Sequence, residues 1–83
     1  WFLRAAEAGL VNGQFNLAYM YEQGAGIAKS SVDAYAWYSV AAEKGDQGAQ
    51  QAVDRIAAHM SPRDIQFAKS RIKSVKRSIR VQN

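Results

Sequence analysis

The chain has 83 residues, 48% of them hydrophobic and none a cysteine, and its eleven basic and seven acidic side chains leave a formal net charge of +4. A chain this short buries only about 60% of the surface that its unfolded form exposes, so it supports one small domain, and the lack of cysteine excludes a disulfide framework and a thiolate metal site. No apolar run approaches the ~20 residues that a helix needs to cross a bilayer.

Trp1-Phe2-Leu3-Arg4-Ala5-Ala6-Glu7-Ala8-Gly9 returns 36 positions later as Trp37-Tyr38-Ser39-Val40-Ala41-Ala42-Glu43-Lys44-Gly45. A period of that length marks a helix-turn-helix unit, which cannot cover its apolar face alone and stacks on its neighbours into a solenoid. Five helices are expected, with breaks near Gly9, Gly24, Gly45 and Ser61. The unit around Trp37 begins near Val32, so position 1 falls inside a helix and the chain reads as the C-terminal part of a longer repeat protein. Trp1 and Phe2 then lack the cover of earlier repeats, and self-association through them is expected.

The second helix runs from Asn12 to Gln23, with Leu17, Met20 and Tyr21 at helical spacing, and stops at Gly24-Ala25-Gly26, where glycine accepts the positive φ that often follows a helix. Ser30, Ser31 and Asp33 offer N-caps for a helix from about Val32 to Lys44, closed by Gly45. Asp46 caps the next helix, which carries Ala49, Ala52, Val53, Ile56, Ala57 and Met60 on one side. Ser61-Pro62-Arg63-Asp64 then starts a fifth helix, from Pro62 to about Arg80. Ser61 caps it, Pro62 fits the first turn, and Asp64 stands where a capping box wants an acid. Ile65, Ala68, Ile72, Val75 and Ile79 form a narrow apolar seam along it.

Charge divides the chain at the same point. Residues 1–60 hold four basic and six acidic side chains, whereas residues 61–83 hold seven basic ones against Asp64 alone. At ~100° per residue, Lys69, Lys73, Lys76, Arg77 and Arg80 fall within an arc of roughly 100° beside the seam. Such a basic amphipathic helix suits an acidic partner protein, an anionic membrane or phosphates, and its bland reading is a solvated outer face. Nucleic acid is the least favoured, because no aromatics interleave with the cations and no recognition turn precedes the helix.

Residues 1–60 resemble the Sel-one-like repeats, relatives of the tetratricopeptide repeats. The family's first-helix pattern, Trp-Tyr-x-x-Ala-Ala-Glu-x-Gly, is matched by Trp37, Tyr38, Ala41, Ala42, Glu43 and Gly45, and by Trp1, Ala5, Ala6, Glu7 and Gly9. Its second-helix pattern is matched by Asn16, Leu17, Met20, Tyr21, Gly24 and Gly26, with Ile27 conservative. Gly13 and Ala18 depart from it, and so do Ala52, Ala57 and Met60, which leave the second unit's last helix to run on without the usual exit turn. The resemblance implies an all-α, right-handed αα solenoid: a truncated first repeat over 1–30, a second over 31–60 and a capping helix over 61–83. It implies a protein-interaction scaffold without an enzymatic reaction, from a family frequently bacterial and often exported or periplasmic.

Catalytic and cofactor readings fail on residue type. Gly24 to Ser30 is Gly-rich and ends in Lys-Ser, but a phosphate loop needs glycine where Gln23 and Ala28 stand, after a strand. His59 has no second histidine or cysteine to complete a metal set. Glu7 and Glu43 are repeat equivalents, expected to serve recurrent structural hydrogen bonds. No nucleophile, base and orienter occur together, so no catalytic group, cofactor, metal or small-molecule substrate is assigned.

The partner is expected to be a protein. Trp37, Tyr38, Leu17, Met20 and Tyr21 hold the family's packing positions and read as core. Phe15 and Tyr19, four apart on one helix face, occupy variable positions, as do Tyr35 and Ser39, and with Lys69, Lys73, Lys76, Arg77 and Arg80 they are the candidate contacts. For Phe15 and Tyr19 the alternative is packing on an earlier repeat or on each other. The alternative function is an electrostatic adaptor whose last helix docks on anionic membrane or nucleic acid.

Overall fold

A computed structural model describes residues 11–81, with side chains at Val11 and over 13–77. The helix expected over Trp1–Gly9, and with it the self-association face of Trp1 and Phe2, lies outside the described residues. Within them the regular elements are four helices, α1 (Val11–Gln23), α2 (Ser31–Glu43), α3 (Gln47–Ala57) and α4 (Pro62–Val81), joined by turns, and no strand occurs among the described residues.

Local chemistry sets each boundary. At the end of α1 the Gly24 and Ala25 N–H groups both donate to the Met20 carbonyl, and Gly24 has φ +72°. That conformation resists a side chain, and a Cβ on Gly24 would also stand 3.1 Å from Lys29 Cβ. The Ser30 N–H then reaches back to the Tyr21 carbonyl at 2.9 Å, which folds the turn onto α1. Of the three offered caps it is Ser30 that acts, its Oγ accepting the Asp33 N–H at 3.1 Å. Asp46 caps α3 through Oδ1 and the Ala49 N–H, and Ser61 caps α4 through Oγ and the Asp64 N–H, each at 3.1 Å. The helix expected to run on to Met60 instead ends at Ala57. His59 and Met60 N–H groups turn back onto the carbonyls three residues earlier, and this tightened turn hands the chain to the Ser61 cap.

The helix α2 is the axis of the molecule: α1, α3 and α4 all pack on it. Its sequence fits that place, since Ala34, Ala36, Trp37, Tyr38, Val40 and Ala41 are buried over about 200° of its circumference rather than along one narrow stripe. The other helices give one face each, Leu17 and Ala18 from α1, Ala49, Ala52, Val53 and Ile56 from α3, and Ala68 and Val75 from α4. Leu17, Trp37 and Tyr38 are therefore core as expected, while Met20 and Tyr21 are half-buried. On α4 the seam is buried at Ala68 and Val75 and half-buried at Ile65 and Ile72.

Candidate functional site

Because α3 and α4 both lean on α2, a groove of about 420 Å³ opens where the three meet. Tyr35, Ser39, Ala42 and Glu43 of α2 line one wall, Gln50 and Val53 of α3 a second, and Ile72 and Lys76 of α4 the third. Ala42, Val53 and Ile72 supply apolar surface, and hydroxyl, amide, carboxylate and ammonium groups rim it. The groove is thus an open surface, apolar at its floor and polar at its rim.

The candidate contacts divide in space. Tyr35 and Ser39 share the groove with Lys76, which joins the aromatic-hydroxyl pair to the basic arc. Tyr19 is 50% exposed on α1, outside the groove lining. Phe15 turns inward, half-buried with its ring edge-on to Tyr38 at 5.2 Å, and lines a separate hollow with Asn16, Asp46 and Gly48. Lys69, Lys73, Lys76 and Arg77 are exposed on α4, and the side chain of Arg80 lies outside the described residues.

The basic arc is less uniform than its spacing suggests. Lys76 Nζ donates to Glu43 Oε1 at 2.7 Å, so one of its cations is already matched. On the far edge of α4, Arg71 pairs with Asp33 at 3.2 Å. Among the described residues Lys69, Lys73 and Arg77 make no ion pair. Glu43, expected to serve a recurrent structural hydrogen bond, is instead exposed, and its carboxylate takes the Lys76 ammonium. Phe67 is 59% exposed, but it lies with Ser70, Arg71 and Ser74 on another side of α4 and does not interleave with the arc.

A different carboxylate is structural. Glu22 on α1 accepts the Tyr38 hydroxyl at 2.9 Å and a two-pronged contact from Arg55, whose Nη1 meets Oε2 and whose Nη2 meets Oε1 at 3.2 Å. This set ties α1, α2 and α3 together. The Arg55 hydrogen bonds hold the Glu22 carboxyl below its ordinary range, against the opposing effect of burial, and the Tyr38 hydroxyl adds to the lowering. Burial, then the hydrogen bond to Glu22, pushes the Tyr38 hydroxyl well above its usual range, so it stays a donor. Sequence reasoning had no signal for this set, because its members are joined only by the packing of three helices. Among the described residues no cluster of His, Cys, Asp and Glu could hold a metal ion, and no helix is long and apolar enough to cross a membrane.

A family model for the Sel1 repeat matches residues 1–10 and 11–46. Two curated proteins are similar to the chain. The chitin synthase regulator SKT5 of Saccharomyces cerevisiae is 47% identical over 49 residues, which cover 59% of this chain and 7% of that protein. The protein of the same name from Malassezia restricta is 30% identical over 83 residues, 99% of this chain and 6% of its own length. The chain thus spans less than a tenth of either relative. Both are fungal, which corrects the bacterial origin expected from the resemblance.

Proposed function

The chain belongs to the Sel1 repeat family, and from that premise we propose that it is a non-enzymatic protein-binding module of a larger regulatory protein. The observation that carries this reading is the groove shared by α2, α3 and α4, with Tyr35, Ser39 and Lys76 as its contact groups. Tyrosine suits such a place, since it offers a large apolar body with a polar tip and loses little rotamer freedom on binding. The helix α4 packs on α2, and its part in this reading is that of a capping helix on the repeat that α2 and α3 form. Its exposed cations widen the contact surface beyond the groove, and Tyr19 provides a second, smaller one on α1.

Both relatives are called regulators of chitin synthase, so a chitin synthase is the first partner to try. Binding of the chain to the water-exposed segments of such an enzyme is measured by calorimetry, alongside Tyr35→Ala and Ile72→Ser variants whose helicity is checked. About a tenfold loss of affinity in each variant is expected for side chains central to a contact. Unchanged affinity in both rejects the groove as the binding face. Docking on a membrane through the apolar seam is disfavoured by packing, because Ala68 and Val75 are already buried.

A further inference from the structure

Resting on the reading of the groove as a protein-binding face, we infer that its occupant is an acidic segment, and that Glu43 stands on Lys76 in the place that a partner's carboxylate takes in the complex. The polarity of the walls points to this occupant. On the α4 side, Lys69 and Lys73 follow Lys76 round the helix within about 20° and 60°, so the rim beyond the groove is cationic for two turns. Neither has an ion-pair partner among the described residues. On the α3 side the Gln50 amide donates to Asp54 at 3.3 Å, which puts negative charge beside that wall. An acidic segment therefore lies with its carboxylates toward α4 and its apolar side chain down on Val53 and Ile72.

Glu43 is what makes this exchange inexpensive. Its side chain is 53% exposed and that of Lys76 48%, so their pair sits in near-bulk solvent and contributes little to the fold. A partner carboxylate arriving at Lys76 replaces one solvated ion pair by another and gains the free cations of Lys69 and Lys73 as well. Glu43 also lowers the affinity of the groove for any acidic ligand, which makes it a competitor built into the same wall. A carboxylate that arrives out of register with Lys76 meets the like charge of Glu43 without gaining the cation, so the competitor adds to the choice of partner.

The test uses fluorescence anisotropy with a labelled twelve-residue peptide in which a Leu-x-x-Leu core is flanked by glutamates, and with a twin that has glutamine at every flanking glutamate. The acidic peptide is expected to bind more tightly, and increasingly so as salt is lowered. Lys73→Gln combined with Lys76→Gln weakens the acidic peptide about fivefold and leaves the twin unchanged, whereas Glu43→Gln strengthens the acidic peptide about two- to threefold. Equal binding of the two peptides, or binding of neither, overturns the acidic occupant. The groove itself is judged separately by the Tyr35→Ala result with the synthase. Weaker binding in Glu43→Gln overturns the competitor role. Binding of phosphatidylserine vesicles or a generic DNA duplex that equals the peptide's and vanishes in the same lysine variant overturns it too, by showing a general polyanion surface.

Discussion

Two carboxylates of this chain, each tied to a cation 33 residues further on, have opposite fates. Glu22 reaches Arg55 and Glu43 reaches Lys76 across what is close to one repeat length, as stacking of successive units would place them. Yet the Glu22 side chain is only 15% exposed and also holds a buried tyrosine hydroxyl, while that of Glu43 is 53% exposed and holds nothing else. The first pair is part of the scaffold, because a carboxylate withdrawn from water must keep its donors. The second is exchangeable, because water already competes for both partners. Spacing creates the pair, and burial decides whether it serves the fold or the surface.

The largest test of the contrast is the core that buries Tyr38, the tyrosine that Glu22 holds. Trp37 is 5% exposed at the centre of α2, and Trp37→Ala is expected to cost about 3–5 kcal/mol, since short helices cannot collapse to fill so large a void. In a domain of this size that approaches the whole margin. A denaturant midpoint that hardly moves would place the indole outside the core.

Next comes Glu22 itself. Glu22→Ala strips the Tyr38 hydroxyl and one face of Arg55 of their acceptor, and about 1–3 kcal/mol is expected from the buried hydroxyl. Tyr38→Phe on its own should cost about 1 kcal/mol or less, because it removes the donor rather than orphaning it. The double variant then tests coupling, and strict additivity would mean that the pair does not act together. The same carboxylate gives the acid limb its direction. Its folded pKa lies below the ordinary 4.5, so its contribution is fully present above that value and is lost as pH falls through the folded one. Thermal melts between about pH 6 and pH 2 should show this loss in the native chain and a shallower one in Glu22→Gln.

How far the sequence told this story depends on the reach of each interaction. The start of α4 at Pro62, the caps Asp46 and Ser61 and the glycine stops at Gly24 and Gly45 are settled within four residues, and the local pattern reads them correctly, while for α2 it offers Ser31 and Asp33 beside the Ser30 that acts. The core places of Leu17, Trp37 and Tyr38 follow from the repeat. Phe15 was legible only in half, because helical spacing puts it on one face with Tyr19 but cannot say that its ring turns onto Tyr38. The groove, the Glu22 set and the Glu43–Lys76 pair were not legible, since each joins helices whose relative placement the spacing along a single helix does not encode. Helical spacing leaves Lys69, Lys73, Lys76 and Arg77 exposed on α4, yet the match between Lys76 and Glu43 requires α4 to lie on α2.

The smallest expected effect is also the one that separates the two carboxylates most cleanly. Glu43→Gln and Lys76→Gln should each change stability by under about 0.5 kcal/mol, and a double-variant cycle should return a coupling of about 1 kcal/mol or less. The reason is the exposure of both side chains: the Coulomb attraction at 2.7 Å is real, but water screens it and two flexible chains must be ordered to keep it. Raising salt from 50 mM to 500 mM should abolish even that coupling, because solvent-exposed charges are screened over a few ångströms at high ionic strength. The Glu22–Tyr38 coupling should persist in the same series, since it lies mostly out of water. Denaturant titrations of both cycles at both salt concentrations decide the matter. A Glu43–Lys76 coupling that matched the Glu22 one and survived salt would make Glu43 a second structural tie, and the contrast drawn between the two junctions would fall with it.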